Sequence, residues 1–136
     1  MTTQPAIRIT NLSKTFGRRR KRIEAVKHVT LDIPVGQVYG FLGPNGAGKT
    51  TTIRMMLDLI RPTEGDVTIF GQHVRREHGV LRRVGAIVEG AMFYNFLSGR
   101  RNLDVLARTA NDLNPQRIDA LLEQVGLAHR ADQRVK

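Results

Sequence analysis

The stretch Gly43-Pro44-Asn45-Gly46-Ala47-Gly48-Lys49-Thr50-Thr51 constrains this chain most. It has the spacing G-x-x-x-x-G-K-[ST] of a phosphate-binding loop. Ahead of it, Val38-Tyr39-Gly40-Phe41-Leu42 is a short apolar run that reads as a buried strand. Behind it, residues 52–57 read as a helix that runs on to about Leu59. Strand, Gly-rich turn and helix is the arrangement that anion binding needs. The glycines let the backbone close tightly, so successive N–H groups point inward. The helix N-terminus adds the positive end of its dipole. Lys49 has the length to reach outer phosphates, and the Thr50 hydroxyl suits a Mg²⁺ shared with them. The bland alternative is a Gly/Pro-rich turn before a helix. Motif and flanking elements agree here, which a bare motif match lacks.

The filling of the variable positions is more specific. Gly-Pro-Asn-Gly-Ala-Gly-Lys-Thr-Thr resembles the Walker A loop of the ATP-binding domains of ABC transporters. Nucleotide kinases and GTPases usually fill these positions differently. The resemblance implies an α/β fold. Its P-loop nucleoside triphosphatase core (37–89) would carry an N-terminal antiparallel β-subdomain (1–36) and the start of a helical subdomain (90–136). It implies ATP and Mg²⁺ as ligands, with Gly43, Pro44, Asn45, Gly46, Ala47, Gly48, Lys49, Thr50 and Thr51 around the phosphates and Thr50 on the metal.

Composition sets outer bounds. At 136 residues the chain is one domain at most. Hydrophobic residues at 40% and charged residues at 25% suit a globular protein. No stretch approaches the ~20 consecutive apolar residues of a membrane span. Met1-Thr2-Thr3-Gln4-Pro5 shows no signal-peptide pattern, and there is no cysteine for a disulfide or thiolate site, so the expectation is a cytoplasmic protein. The net charge of +10 favours a polyanionic partner without choosing among nucleotide, nucleic acid and acidic membrane. Aromatic content of 5%, with no Trp, argues against a single-strand nucleic-acid binder, which needs stacking platforms.

Before the loop, residues 6–12 alternate as a half-buried strand does, and residues 24–33 are apolar at 29, 31 and 33. The second strand is expected to pair back on the first. Phe16 lies between them. From the residues alone it is a core side chain, a hairpin anchor or a flat face for a base; the resemblance implies adenine stacking. Arg18-Arg19-Arg20-Lys21-Arg22 repels itself and is expected at an exposed hairpin turn. A solvated loop, a contact with acidic lipid or an acidic partner, and nucleic acid all suit it. Pro34-Val35-Gly36 is a turn.

After the loop, Ile53, Met56, Leu57 and Ile60 form the helix's apolar face, and Pro62 stops it. The methionines read as core packing. Residues 65–71 are a short strand between glycines. The end of 73–83 reads as helical, with Leu81 and Val84 turned inward. The scattered His28, His73, His78 and His129 do not suggest a metal site. Val84-Gly85-Ala86-Ile87-Val88 is a second candidate for a buried strand, followed by Glu89. The resemblance places Glu89 at the Q-loop position, where most of the family has Gln. An ionised Glu only accepts hydrogen bonds, so a role toward Mg²⁺ or its water survives and a donor role does not. An ordinary surface Glu is the alternative. The branch similar to bacitracin and lantibiotic exporters has Glu here, followed by an aromatic-rich stretch such as 90–97.

Leu97-Ser98-Gly99-Arg100 imitates the start of the ABC signature but comes too early and lacks the second Gly and the Gln. It reads instead as the start of a helix capped by Ser98 and running through Leu103, Val105, Leu106 and Ala110, with Arg101 where a capping box would want Glu or Gln. Asn114-Pro115 opens another helix, striped by Ile118, Leu121, Leu122 and Val125 and ended by Gly126.

No run of four apolar residues followed by Asp-Glu occurs, so the resemblance covers about the first half of the family's domain. Both strands expected beside 37–42 belong to the other half, which would leave that strand with unpaired edges. A truncated piece of a longer ATPase is the expectation. It binds nucleotide weakly through Phe16, the loop and Glu89, and hydrolyses it negligibly. The resemblance further implies a transmembrane permease subunit and a second ATP-binding subunit as partners, with the chain peripheral on the inner membrane face. An ABC-type ATPase of ribosomes or DNA, or a non-catalytic nucleotide-binding fragment, are the other readings.

Overall fold

The strand β1 (Ile7–Phe16) pairs antiparallel with β2 (Ile23–Ile33), as the alternation predicts. The computed structural model describes residues 4–18, 21–88, 90, 93–110 and 114–135. Of the basic run, Arg19 and Arg20 lie outside the described residues; Arg18, Lys21 and Arg22 are exposed. The chain forms two compact units, Met1–Glu89 and Gly90–Lys136.

In the first unit, β3 (Glu64–Ile69) adds to the other edge of β1 and β4 (Gln72–His73) follows, giving the order β2-β1-β3-β4. The helix α1 (Lys49–Met56) places Met55 in one core with Ile9, Leu12, Val26, Val67, Ile69, Val74 and Val80. Val80 comes from a 3-10 turn, His78–Arg83, with Leu81 and Val84 packed beside it. The helix ends at Met56, short of Pro62, because Asp58 turns left-handed at φ 54°. Its most buried apolar side chain is Met55 rather than Met56 or Leu57.

The ladder is interrupted in a way the alternation does not reveal. Ile9 faces Leu31 but Leu12 faces Val29, so β1 gains a residue; Lys14 faces Val26, so β2 gains one back. Asn11 and His28 take left-handed φ values of 49° and 44° at these bulges. Side chains replace the lost ladder bonds. The Asn11 N–H donates to Thr30 Oγ1 at 3.0 Å, and the His28 N–H donates to Ser13 Oγ at 3.0 Å.

Arg8 and Asp32 face each other across β1 and β2, with Nε–Oδ1 2.9 Å and Nη2–Oδ2 2.8 Å. Hydrogen bonds from Arg8 hold the Asp32 carboxyl below its ordinary value. A depressed folded-state value means that the pair stabilises above the ordinary carboxylate range, and that this is lost as pH falls through the depressed value. Asp32→Asn is therefore expected to melt slightly lower than the parent near neutrality, with the gap closing in acid. A gap that stayed constant with pH would overturn this. The effect is small because both side chains are half exposed.

Two expected buried strands are corrected. Residues 37–42 and 84–88 belong to no strand, and Val38, Leu42 and Ile87 are 105%, 92% and 84% exposed. A fully apolar strand is buried only when neighbours flank it and cover its faces. Among the described residues no strand pairs with either run.

In the second unit, α2 (Gly99–Ala110) and α3 (Pro115–Gln124) share a core of Ala107, Ile118, Leu122 and Ala131. Ser98 caps α2, its Oγ accepting from the Arg101 N–H at 3.3 Å. With no Glu at the third position, the carbonyls of Gln133 and Ala131 accept from the N–H groups of Gly99 and Arg100. Asn114 Oδ1 caps α3 through the Gln116 N–H at 3.1 Å, and Gly126 ends it at φ 71°. Of the expected stripe on α3, Ile118 and Leu122 are buried while Leu121 and Val125 are exposed; on α2, Leu103 and Ala107 turn inward and Leu106 is exposed. Among the described residues no helix is long and apolar enough to cross a membrane.

Candidate functional site

Residues 43–48 leave the exposed run 37–42 and curl into the first turn of α1. The Ala47 N–H donates to the Pro44 carbonyl at 3.2 Å, closing a tight turn at the loop's tip. Gly46 and Gly48 have φ values of 83° and 84°, in the left-handed region that side chains resist. Their surroundings differ. A Cβ on Gly46 would meet nothing, whereas one on Gly48 would stand 2.3 Å from the Ala25 carbonyl oxygen and 3.0 Å from Val26 Cγ2. The loop therefore rests against β2 through bare backbone, and only glycine permits that approach.

The result is an open concavity of about 230 Å³ lined by Ala25, Asn45, Gly46, Gly48, Lys49, Thr50 and Thr51. The first N–H groups of a helix lack partners within it, and α1 has no acidic residue in its first turn to occupy or repel what enters. Thr52 Oγ1 donates back to the Gly48 carbonyl at 2.9 Å and is buried, so it anchors the loop and leaves Thr50 and Thr51 half-buried at the opening. Lys49 folds over the loop: its Nζ donates to the carbonyls of Gly43 at 2.5 Å and Pro44 at 2.8 Å. An ammonium has three donors, so one remains, and Lys49 is among the residues that line the concavity. Backbone donors, a hydroxyl, a fixed cation and no carboxylate suit a polyphosphate with its divalent cation.

Phe16 ends β1, paired with Ile23, while Ala25 lies two residues further along β2 at the loop. The ring is 42% exposed, so it is not a core side chain. Lys14 Nζ stands 5.0 Å from its centroid. Sequence reasoning missed Lys14; the signal was its i, i+2 spacing from Phe16, which puts both on one face of a strand. Glu89 lies outside the described residues. A larger concavity of about 680 Å³ in the second unit is lined by Leu122, Leu127, Ala131, Val135, Arg130 and Arg134 among others. It has no loop of inward N–H groups and does not resemble the first.

The family profile described as "ABC transporter" matches residues 26–136. The "Bacitracin transport ATP-binding protein BcrA" of Bacillus licheniformis is 44% identical over 124 residues, 90% of this chain and 39% of that protein. The protein of the same description from Enterococcus faecalis is 38% identical over 136 residues, covering 99% and 42%. A dimeric ATP-binding cassette, solved in a post-hydrolysis state bound to ADP and Pi, matches with a TM-score of 0.75 at 24% identity over 94% of this chain and 61% of that one. This last likeness is one of fold. The chain spans about two fifths of the length of the curated relatives it matches.

Proposed function

This chain belongs to the ABC transporter family, and from that premise we propose that it binds Mg-ATP as part of the ATP-binding subunit of an exporter. The observation that carries the reading is the concavity at the start of α1, walled by Gly48 against Ala25 and free of carboxylates in the helix's first turn. Gly43, Pro44, Asn45, Gly46, Ala47 and Gly48 supply the backbone that wraps the phosphates. The N–H groups of Lys49, Thr50 and Thr51 face them from the helix end. Lys49 places its charge on the outer phosphates, and Phe16 stacks on the adenine.

Mg²⁺, when bound, neutralises charge shared between phosphate oxygens. The Thr50 hydroxyl is its proposed protein ligand in the loop; Glu89 would contact the Mg²⁺ or its water, a role that rests on the resemblance. Hydrolysis also requires a group that orients water, and the 136 residues contain no run of four apolar residues followed by Asp-Glu. We therefore assign binding to this chain and negligible turnover to it alone. The wider reading follows the family. A transmembrane permease subunit and a second ATP-binding subunit are the partners, and the chain works on the cytoplasmic face of the membrane through the permease. Within it, 1–36 is the antiparallel β part, 37–89 the core part, and 90–136 the start of the helical part.

Lys49→Ala tests the reading. Loss of a charge-assisted contact to phosphate is expected to weaken Mg-ATP binding about 10- to 100-fold in equilibrium titration, with the fold retained by circular dichroism. Unchanged affinity would remove the loop from the site. Copurification of a membrane protein with the full-length protein tests the permease.

A further inference from the structure

We infer that Lys14 is a positioning residue for the nucleotide base, acting through Phe16; this rests on the proposed stacking of adenine on that ring. The Lys14 ammonium stands 5.0 Å from the Phe16 centroid and donates to the Arg61 carbonyl at 2.6 Å. It is thus held at both ends, by a backbone acceptor and by the π face. The Arg61 segment is itself stitched to β1. The Thr63 N–H donates to the Ser13 carbonyl at 2.9 Å, and the Thr15 N–H donates to Thr63 Oγ1 at 3.0 Å. Arg61 follows the turn that ends α1, the helix that begins at Lys49. Lys14 therefore ties the ring to the segment that follows α1, the helix whose start forms the concavity.

Two physical effects follow. The ammonium occupies one face of Phe16, so an arriving base has the other. A cation on one face also draws π density toward itself, and the depleted face stacks better on an electron-rich purine. Ordering the ring beforehand lowers the entropy lost when the base docks. Lys14 is not among the residues that line the concavity at Gly48, so its contribution should appear with the base and vanish without it.

The test measures binding of ATP and of inorganic tripolyphosphate, each with Mg²⁺, to the full-length protein by competition against a fluorescent ATP analogue. Variants are Lys14→Met, Lys14→Arg, Phe16→Ala and the double variant Lys14→Met/Phe16→Ala. Lys14→Met is expected to weaken ATP about three- to fivefold and leave tripolyphosphate unchanged. Lys14→Arg, which keeps a cation over the ring, should stay within about twofold of the parent. In the Phe16→Ala background the Lys14→Met effect should disappear. Equal weakening of ATP and tripolyphosphate by Lys14→Met would overturn the inference in favour of a general charge effect. So would unchanged ATP affinity while Phe16→Ala does weaken ATP, which leaves the stacking intact and removes Lys14 alone. If Phe16→Ala leaves ATP unaffected, the stacking fails and Lys14 with it, while the loop stands or falls by Lys49→Ala.

Discussion

Gly48→Ala is expected to weaken Mg-ATP binding about a hundredfold or more, while Gly46→Ala weakens it about 5- to 30-fold. Both glycines sit in the left-handed region, so each alanine carries strain of roughly 1–2 kcal/mol. Only at Gly48 does the new Cβ also meet a backbone atom, the Ala25 carbonyl oxygen at 2.3 Å. That oxygen belongs to β2 and cannot rotate away as a side chain would. The loop must lift off the strand, and returning to the cradle on binding restores the clash, about 1–3 kcal/mol more. Together the two come to about 3 kcal/mol, or two decades in affinity. Equilibrium titration of the two variants decides it. Equal losses at both positions would mean that backbone strain alone governs the loop and that its contact with β2 is incidental.

Gly65→Ala should lower stability by about 3 kcal/mol in urea denaturation. Gly65 lies on β3 opposite the bulge in β1, with φ 80°. A Cβ there would lie 2.3 Å from the Asn11 oxygen and 2.5 Å from the Thr10 oxygen. The extra residue that pushes β1 outward takes the space a side chain would need. Gly36→Ala is the control. Its φ of 76° is as unfavourable, but nothing stands within 4 Å, so about 1–2 kcal/mol is expected. A Gly65→Ala loss no greater than that of Gly36→Ala would show that the bulge relaxes to admit the methyl group.

These glycines separate the local from the non-local. That residues 43–51 form a tight glycine-rich turn leading into a helix was legible in the sequence, because the Gly spacing acts over a few residues of chain. The caps at Ser98 and Asn114 and the stop at Gly126 were legible for the same reason, each hydrogen bond closing within three residues. The β1–β2 pairing was legible because a period of two survives along most of both strands. Its bulges were not, since an inserted residue leaves the average alternation intact and shows only when both strands are counted against each other. Phe16 was legible as a flat side chain beside a turn. Lys14 was passed over because a lysine on a strand is ordinarily a solvated one.

The apolar runs 37–42 and 84–88 mark the limit most clearly. By composition both read as buried strands, yet Val38 and Ile87 stand open to solvent. An apolar pattern records what a segment would bury, not whether partners are there to bury it. Strand pairing needs a second chain segment at hydrogen-bonding distance, and no residue within the run encodes that segment's presence. By itself, then, the sequence determined the chemistry of the loop, the type of most elements and the ends of the helices, which all depend on interactions within a few residues. The tertiary structure alone decided that Gly48 must be bare because β2 passes beneath it, that Gly65 must be bare because β1 bulges toward it, and that Lys14 lies over Phe16. Each depends on where a distant segment of backbone comes to rest, and so on the packing of the sheet and α1 as a whole.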